Sequence, residues 1–382
     1  MKNKYIQEEI LSIVKEKYFD GHYSPVEVLK TNTPYILSYG GRNIGKTFAW
    51  LIIIYALWQE KGYESCIIRR MADTLKSDKA GHMFDKVFEL GIVPNKKDYT
   101  GITFRQKKWC GYWEDEKGKR TYDKPFCYSF SLSSKIEMNK GVLDIKNLGV
   151  VFFDEALTAD NYLDDEWNRF QNALSTIIRE NTNACVVLCA NTVSWVAPYF
   201  REFGIQNVRN IRQGTIKVFH CLEDTSVTLE YCSDTVKKNR RKKLTDRRFF
   251  GFSNGSADMI KSGGWEIHSY QHLTRDMLTD RDIDLISRDI YLCFADEILC
   301  FEIFELEDFG IIVNVRPSHD YKKGIRIYID SDITDFRFRK YPQSSDKLDA
   351  FIWGLYKKNR FYYADNLCGE VVKKYLQFCG MQ

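Results

Sequence analysis

A chain of 382 residues has room for two domains, and an apolar fraction of 44%, with 15% aromatic, is enough to build a core in each. Lys and Arg number 56 against 52 Asp and Glu, a net charge of only +4, so bulk charge does not mark a nucleic-acid binder and local clustering has to carry any such role. The longest apolar run, Phe48 to Trp58, is too short to cross a bilayer, and Met1-Lys-Asn-Lys-Tyr lacks a signal-peptide core, so no membrane partner is expected.

The 11 cysteines are scattered without a C-x-x-C pair, which predicts reduced thiols in a cytosol-like compartment. Ile6 to Tyr18 carries apolar residues at helical spacing and predicts an amphipathic helix ending near Asp20-Gly21. Pro25 to Pro34 reads as a connector. Tyr35 to Tyr39 predicts a strand, and Phe48 to Gln59 a helix stopping at Lys61-Gly62.

Between them stands Gly40-Gly41-Arg42-Asn43-Ile44-Gly45-Lys46-Thr47, a full G-x-x-x-x-G-K-T with a strand before it and a helix after it. Glycines let backbone N–H groups curl around phosphate oxygens, and the following helix turns its positive end to the same anion. Lys46 can reach the β- and γ-phosphates, and the Thr47 hydroxyl can ligate Mg²⁺. The stretch therefore predicts binding of a nucleoside triphosphate, ATP, with Mg²⁺.

Ser65 to Arg70 predicts a second strand, Lys79 to Leu90 a helix ending at Gly91, and Ile102 to Phe130 aromatic-rich hairpin material turning at Glu114 to Arg120. Leu148 to Phe153 is a buried strand that delivers Asp154 to the metal shell and places Glu155 one residue on, where it can polarise a water. An adjacent glutamate separates ATPases from small-molecule kinases and from GTPases. The Ser65 strand is expected between the loop strand and the Asp–Glu strand, the layout of the additional-strand, catalytic-glutamate P-loop ATPases. Asp164-Asp165-Glu166 opens a helix, Trp167 to Arg179, and Ala184 to Ala190 is a fourth strand ending at Asn191, a candidate γ-phosphate sensor. Alternating strands and helices predict a mainly parallel sheet covered on both faces.

Two arginines are candidates for the phosphate. Arg42 lies inside the loop, and Arg179 ends a helix at the edge of the domain, where it could act on a neighbouring subunit; a helix C-terminus also favours Arg through its dipole alone. From about Thr235 the composition turns basic: Lys237, Lys238, Arg240, Arg241, Lys242, Lys243, Arg247 and Arg248, with Asp246 the only acid among them. This reads as a basic linker, a run suited to contact DNA phosphates without reading sequence or to stand simply as a solvated charged segment. Beyond it, Ile290 to Phe294, Ile298 to Glu305, Gly310 to Val315 and Ile325 to Ile329 predict four strands, and Leu348 to Tyr356 and Gly369 to Phe378 two helices. The expected organisation is an ATPase domain at 1–232, a basic linker region at 233–265 and a smaller β-rich α+β domain at 266–382.

Taken together, Gly40 to Thr47, Cys66-Ile-Ile-Arg-Arg70, Val151-Phe-Phe-Asp-Glu155, Asn172 to Arg179, Leu188-Cys-Ala-Asn191 and Val196-Ala-Pro-Tyr-Phe200 resemble the DNA-packaging (encapsidation) ATPases of small tailed phages of the phi-29 type, which are related to large terminase motors. The resemblance spans roughly residues 35 to 250 and is faint beyond. It implies Arg42 as the loop arginine, Arg179 as a trans-acting arginine, Asn191 as sensor and Glu155 as catalytic base. It also implies a homo-oligomeric ring, expected to be a pentamer, docked on the portal of a procapsid in the host cytoplasm and pumping double-stranded DNA. The second domain would resemble an RNase H fold without its nuclease centre, and a structural packaging RNA would be a further partner.

Three other readings stay open on sequence. A full large terminase would cut DNA with carboxylates among Asp296, Glu297, Asp330, Asp332 and Asp365. A helicase loader of the AAA+ type would carry a helical lid after the fourth strand, whereas the segment after Phe200 is β-like and basic. A non-enzymatic nucleic-acid module would hold ATP as a structural clamp.

Overall fold

The computed structural model describes residues 5–134, 145–158, 162–163, 165–192, 197–205, 207–221, 225–233, 270–273, 283–294, 297–306, 310–319, 324–328 and 347–378. The basic run from Lys237 to Arg248 lies outside the described residues, as do Asp164, Val193 to Val196, Asp296, Asp330 and Asp332. The chain forms two compact units.

The first unit begins with α1 (Gln7–Ile13), a short 3₁₀ turn at Glu16–Phe19 and α2 (Val26–Leu29). The expected helix from Ile6 is therefore broken at Val14, whose backbone is extended, and the expected connector holds a helical turn. β1 (Tyr35–Gly40) leads into α3 (Lys46–Lys61), and Gly62 closes that helix in the left-handed conformation, its N–H donating to Trp58 O at 3.0 Å. From Ala49 to Gln59 α3 is buried all round, as an uninterrupted apolar sequence requires.

β2 (Glu64–Arg69) follows, then α4 (Ser77–Ala80) and α5 (Asp85–Glu89). Gly81-His-Met83 interrupts the single helix expected there. The aromatic stretch gives β3 (Gly101–Arg105), β4 (Lys108–Glu114), β5 (Arg120–Tyr122) and β6 (Cys127–Ser131). The turn at Gly118 is where it was expected. The β3–β4 turn is made by Gln106 and Lys107, both at positive φ without being glycine, which is why it left no glycine signal. β7 (Leu148–Asp154), α6 (Glu166–Ile178), β8 (Cys185–Asn191) and α7 (Pro198–Glu202) come next, then β9 (Ile216–His220) and β10 (Ser226–Tyr231).

These strands form one ten-stranded sheet in the order β3-β4-β6-β2-β7-β8-β1-β10-β9, with β5 paired to β4. From β6 to β10 every neighbouring pair is parallel; β4 and β9 add antiparallel edges. One expectation is corrected. The strand between the loop strand β1 and the Asp–Glu strand β7 is β8, and β2 lies on the far side of β7. Sequence order does not give sheet order: β2, β7 and β8 are all continuous buried runs, so their apolar patterns could not tell the central positions apart. The additional-strand layout stands, with β8 as the additional strand.

The second unit contains β11 (Ile283–Phe294), β12 (Glu297–Leu306), β13 (Gly310–Ser318), β14 (Ile325–Tyr328), α8 (Lys347–Lys357), β15 (Phe361–Tyr363) and α9 (Asn366–Phe378). β11, β12 and β13 form an antiparallel meander; β14 joins β11 in parallel, and β15 joins β13 in parallel. Ile352 and Leu355 of α8 and Val371, Val372 and Tyr375 of α9 share one core with Phe301, Val313 and Val315. The three-residue β15 was not expected. Among the described residues no helix is long and apolar enough to cross a membrane.

Candidate nucleotide site

The loop between β1 and α3 is fixed from below. Asn43 and Gly45 both have positive φ, 61° and 96°. At Gly45 a Cβ would also press on the His22 ring, 3.0 Å from Nδ1, so the last turn before the helix admits only glycine without strain. Tyr23 N donates to Ile44 O at 2.9 Å, which ties the loop to the segment after the 3₁₀ turn.

Lys46 is buried at 6% exposure, and its Nζ donates to Gly41 O at 2.8 Å, to Gly40 O at 3.2 Å and to Asn191 Oδ1 at 3.4 Å. Asn191 reaches it because β8 runs beside β1, pairing Asn191 with Gly40. Thr47 Oγ1 donates to Asp154 Oδ1 at 2.9 Å. Burial pushes the Asp154 carboxyl above its ordinary pKa, against the opposing pull of the Arg69 guanidinium and the Thr47 hydroxyl. Its neighbour Glu155 has a side chain 64% exposed and a backbone in the left-handed region at φ 62°. Loop amine, helix hydroxyl, strand-end acid, exposed acid and sensor amide thus converge at the carboxyl ends of β1, β7 and β8, where open parallel sheets bind ligands.

A family model described as podovirus DNA encapsidation protein (Gp16) matches residues 18–259. The chain belongs to that family. It is a phage DNA-encapsidation protein, and it carries a full phosphate-loop pattern at Gly40 to Thr47 and a strand ending in Asp154 and Glu155. Its fold is similar to that of the phi-28 gp11 DNA packaging motor, at 14% identity and a TM-score of 0.51, covering 94% of this chain and 97% of that one. It is similar also to the packaging motor assembly of bacteriophage phi-29, at 15% identity and a TM-score of 0.54, covering 94% and 99%. No curated protein matches.

This encapsidation protein carries two further site arginines, which fall in the Cys66 to Arg70 block but were given no role from the sequence. Arg69, the last residue of β2, donates from Nη2 to Asp154 Oδ2 at 2.6 Å and from Nη1 to Glu155 Oε2 at 2.7 Å. Arg70 donates to Glu155 O at 3.1 Å and Ala156 O at 2.7 Å, and both Nε and Nη2 reach Glu166. The available signal was their position: two cations ending an otherwise apolar strand in a sheet whose neighbouring strand ends in two acids.

Of the two arginines singled out in the sequence, Arg42 is exposed in the loop. Arg179 is exposed just past α6, at φ 45°. The 13 residues of α6 carry the chain about 20 Å back to the end of the sheet where strands begin. There Asn181 Oδ1 accepts from Leu148 N at 3.1 Å. Arg179 is therefore at the opposite end of β7 from Glu155, and it cannot serve its own phosphate loop.

Proposed function

We propose that this chain is an ATP-driven translocase that pumps double-stranded DNA into a preformed procapsid, working in the host cytoplasm as a homo-oligomeric ring docked on the portal. The observation that carries the reading is the Thr47–Asp154 contact at 2.9 Å beside Lys46 and Asn191, which assembles the phosphate loop and the Asp–Glu strand into one site. Thr47 Oγ1 and Asp154 are hard oxygen donors of the kind Mg²⁺ takes, and they would hold it. Bound there, the ion would draw charge from the β- and γ-phosphates of ATP.

The chain's own groups do the rest. Gly40, Gly41, Arg42, Asn43, Ile44 and Gly45 wrap the phosphates, and Lys46 exchanges its loop carbonyls for phosphate oxygens. Asn191, held between loop and Asp–Glu strand, senses the γ-phosphate. Glu155 takes a proton from the attacking water once its carboxylate leaves Arg69. Arg42 covers the loop's own nucleotide, and Arg179 of one subunit serves the site of the next; its place at the far end of α6 supports a role only in trans. Lys237, Lys238, Arg240, Arg241, Lys242, Lys243, Arg247 and Arg248 hold DNA phosphates.

For the second unit we propose an RNase H-type fold without a working nuclease, contacting DNA or procapsid. The β11–β12–β13 meander with β14 added parallel to β11 supports the fold. Asp365, one of five acids a nuclease could draw on, has its Oδ1 engaged by Cys368 N at 2.8 Å as the cap of α9. A pentameric ring and a structural RNA partner rest on the resemblance to the phi-29-type motors. The reading is tested by nucleotide binding and turnover in two variants. Lys46→Ala should lose tight ATP binding, and Glu155→Gln should bind ATP and hydrolyse it very slowly; near-normal turnover in Glu155→Gln would sink the assignment. Plasmid incubated with Mn²⁺ should stay intact, and metal-dependent cleavage would instead make the chain a full terminase.

A further inference from the structure

Arg70 and Glu166 form an ion pair that the nucleotide site does not itself use. Their side chains are only 11% and 1% exposed, and they meet at 2.7 Å. Neither could remain charged there without complete compensation, and both have it. Arg70 spends Nε and Nη2 on Glu166, and Nη2 and Nη1 on the carbonyls of Ala156 and Glu155, while its guanidinium lies 5.1 Å over the Tyr162 ring. Glu166 accepts from both Arg70 nitrogens, from Leu163 N at 2.9 Å and from Tyr199 Oη.

The two ends of this pair sit at two different places in the reaction. One end fixes the backbone of Glu155, a non-glycine residue in the left-handed region, a conformation that persists only where neighbours over-determine it. Arg70 holds the carbonyls of residues 155 and 156, and Ala156 N donates to Cys189 O at 3.0 Å on β8, the sensor strand. The other end is the first residue of α6, the helix that leads to Arg179. Tyr199, from α7, donates to Oε1 of the same carboxylate, the oxygen that Arg70 Nη2 also reaches.

We infer that Arg70 and Glu166 are positioning residues for ATP hydrolysis: they set the backbone of Glu155 and anchor α6 to the same point, so that the base and the root of the arginine-bearing helix move together or not at all. The inference rests on the assignment of Glu155 as base. Neither residue touches substrate; both act through Glu155. Misplacing a catalytic group by about 1 Å can cost on the order of 100-fold, so the pair should show in turnover and not in nucleotide affinity.

The test is a double-mutant cycle on the full chain, reading ATP affinity and single-turnover hydrolysis for Glu166→Gln, Glu155→Gln and both together. Glu166→Gln should keep ATP affinity within about twofold and lower hydrolysis by about 10- to 100-fold, and it should add nothing further in the Glu155→Gln background. Arg70→Lys, which keeps the charge and loses the planar fork, should fail to restore the rate. Tyr199→Phe, which removes one donor from a carboxylate that keeps three, guards against simple misfolding and should lower the rate in the same direction by less. Equal losses from Glu166→Gln with and without Glu155 would make the pair merely structural and overturn the inference, as would a normal rate in Glu166→Gln when Glu155→Gln is slow. A near-normal rate in Glu155→Gln alone removes the site assignment itself, and the inference with it.

Discussion

Thr47 Oγ1 donates to Asp154 Oδ1 at 2.9 Å across 107 residues of chain. That one bond brings the first turn of α3 against the end of β7, and it sets the distance between the two oxygens proposed to hold the metal. Thr47→Ala should therefore remove most of the increase in ATP affinity that Mg²⁺ gives the unaltered chain. Titrating nucleotide with and without Mg²⁺ measures this, and an undiminished increment would take Thr47 out of the metal site.

Arg69 sits between Asp154 and Glu155, and its side chain is 17% exposed. Removing one partner of a buried pair leaves the other charge uncompensated, which costs about 3–5 kcal/mol. Arg69→Ala should destabilise the nucleotide-free protein by roughly the lower end of that range, because Asp154 keeps its Thr47 donor. Adding Asp154→Asn should return part of the loss, since the stranded charge is then gone. Denaturant midpoints of the two single variants and the double variant check this; strictly additive losses would show that Arg69 does not compensate Asp154.

Glu230 lies on β10 under the loop, accepting from Ser38 Oγ at 2.6 Å and from Tyr23 Oη. Burial pushes its pKa above the ordinary glutamate value, with Ser38 and Tyr23 opposing. An acid whose folded pKa is raised binds its proton more readily when folded. Its contribution to stability is then greatest below the unfolded pKa and is lost as pH rises through the folded one. Glu230→Gln should match the unaltered chain in acid and become the more stable of the two toward neutral pH. Urea midpoints across that range decide it, and parallel curves would mean that Glu230 does not titrate differently on folding.

Neutralising Arg240, Arg241, Lys242 and Lys243 together should weaken DNA binding at all sequences. It should also flatten the salt dependence by about 0.9 in log–log slope for each phosphate no longer neutralised. Filter binding at several salt concentrations reads the slope directly; an unchanged slope leaves the stretch as a linker only.

Arg179→Ala should bind ATP in isolated subunits yet lose hydrolysis in the assembled state. Mixing it with Glu155→Gln should restore some activity, because an intact Arg179 then meets an intact Glu155 at some interfaces. If Arg179 only compensates the helix dipole, the variant costs about 0.3–1 kcal/mol of stability, and turnover per subunit is unchanged.

The strand–loop–helix around Gly40 to Thr47, the strand that ends at Asp154, the one that ends at Asn191 and the extent of α6 were legible because each rests on a local pattern: glycine spacing, a continuous apolar strand with polar residues at its end, or helical periodicity. Less legible was whatever depends on partners distant in sequence. Nothing local places β8 rather than β2 beside β1. Arg69 and Arg70 look like ordinary strand-end cations until β2 is set next to β7, where Arg69 gains Asp154 at the end of that strand and Arg70 gains the carbonyls just past it. The β3–β4 turn escaped because Gln106 and Lys107 adopt positive φ without the glycine that usually signals it. β15 escaped because three residues are too few to show a period.

Whether ATP hydrolysis at Glu155 drives DNA into a procapsid is decided by measuring DNA-stimulated ATP hydrolysis with procapsids present and absent, in the unaltered chain and in Glu155→Gln. Double-stranded DNA should stimulate turnover most when procapsids are present, and Glu155→Gln should lose that stimulated turnover while keeping nucleotide binding. Turnover that ignores both DNA and procapsids, or that survives in Glu155→Gln, would contradict that coupling.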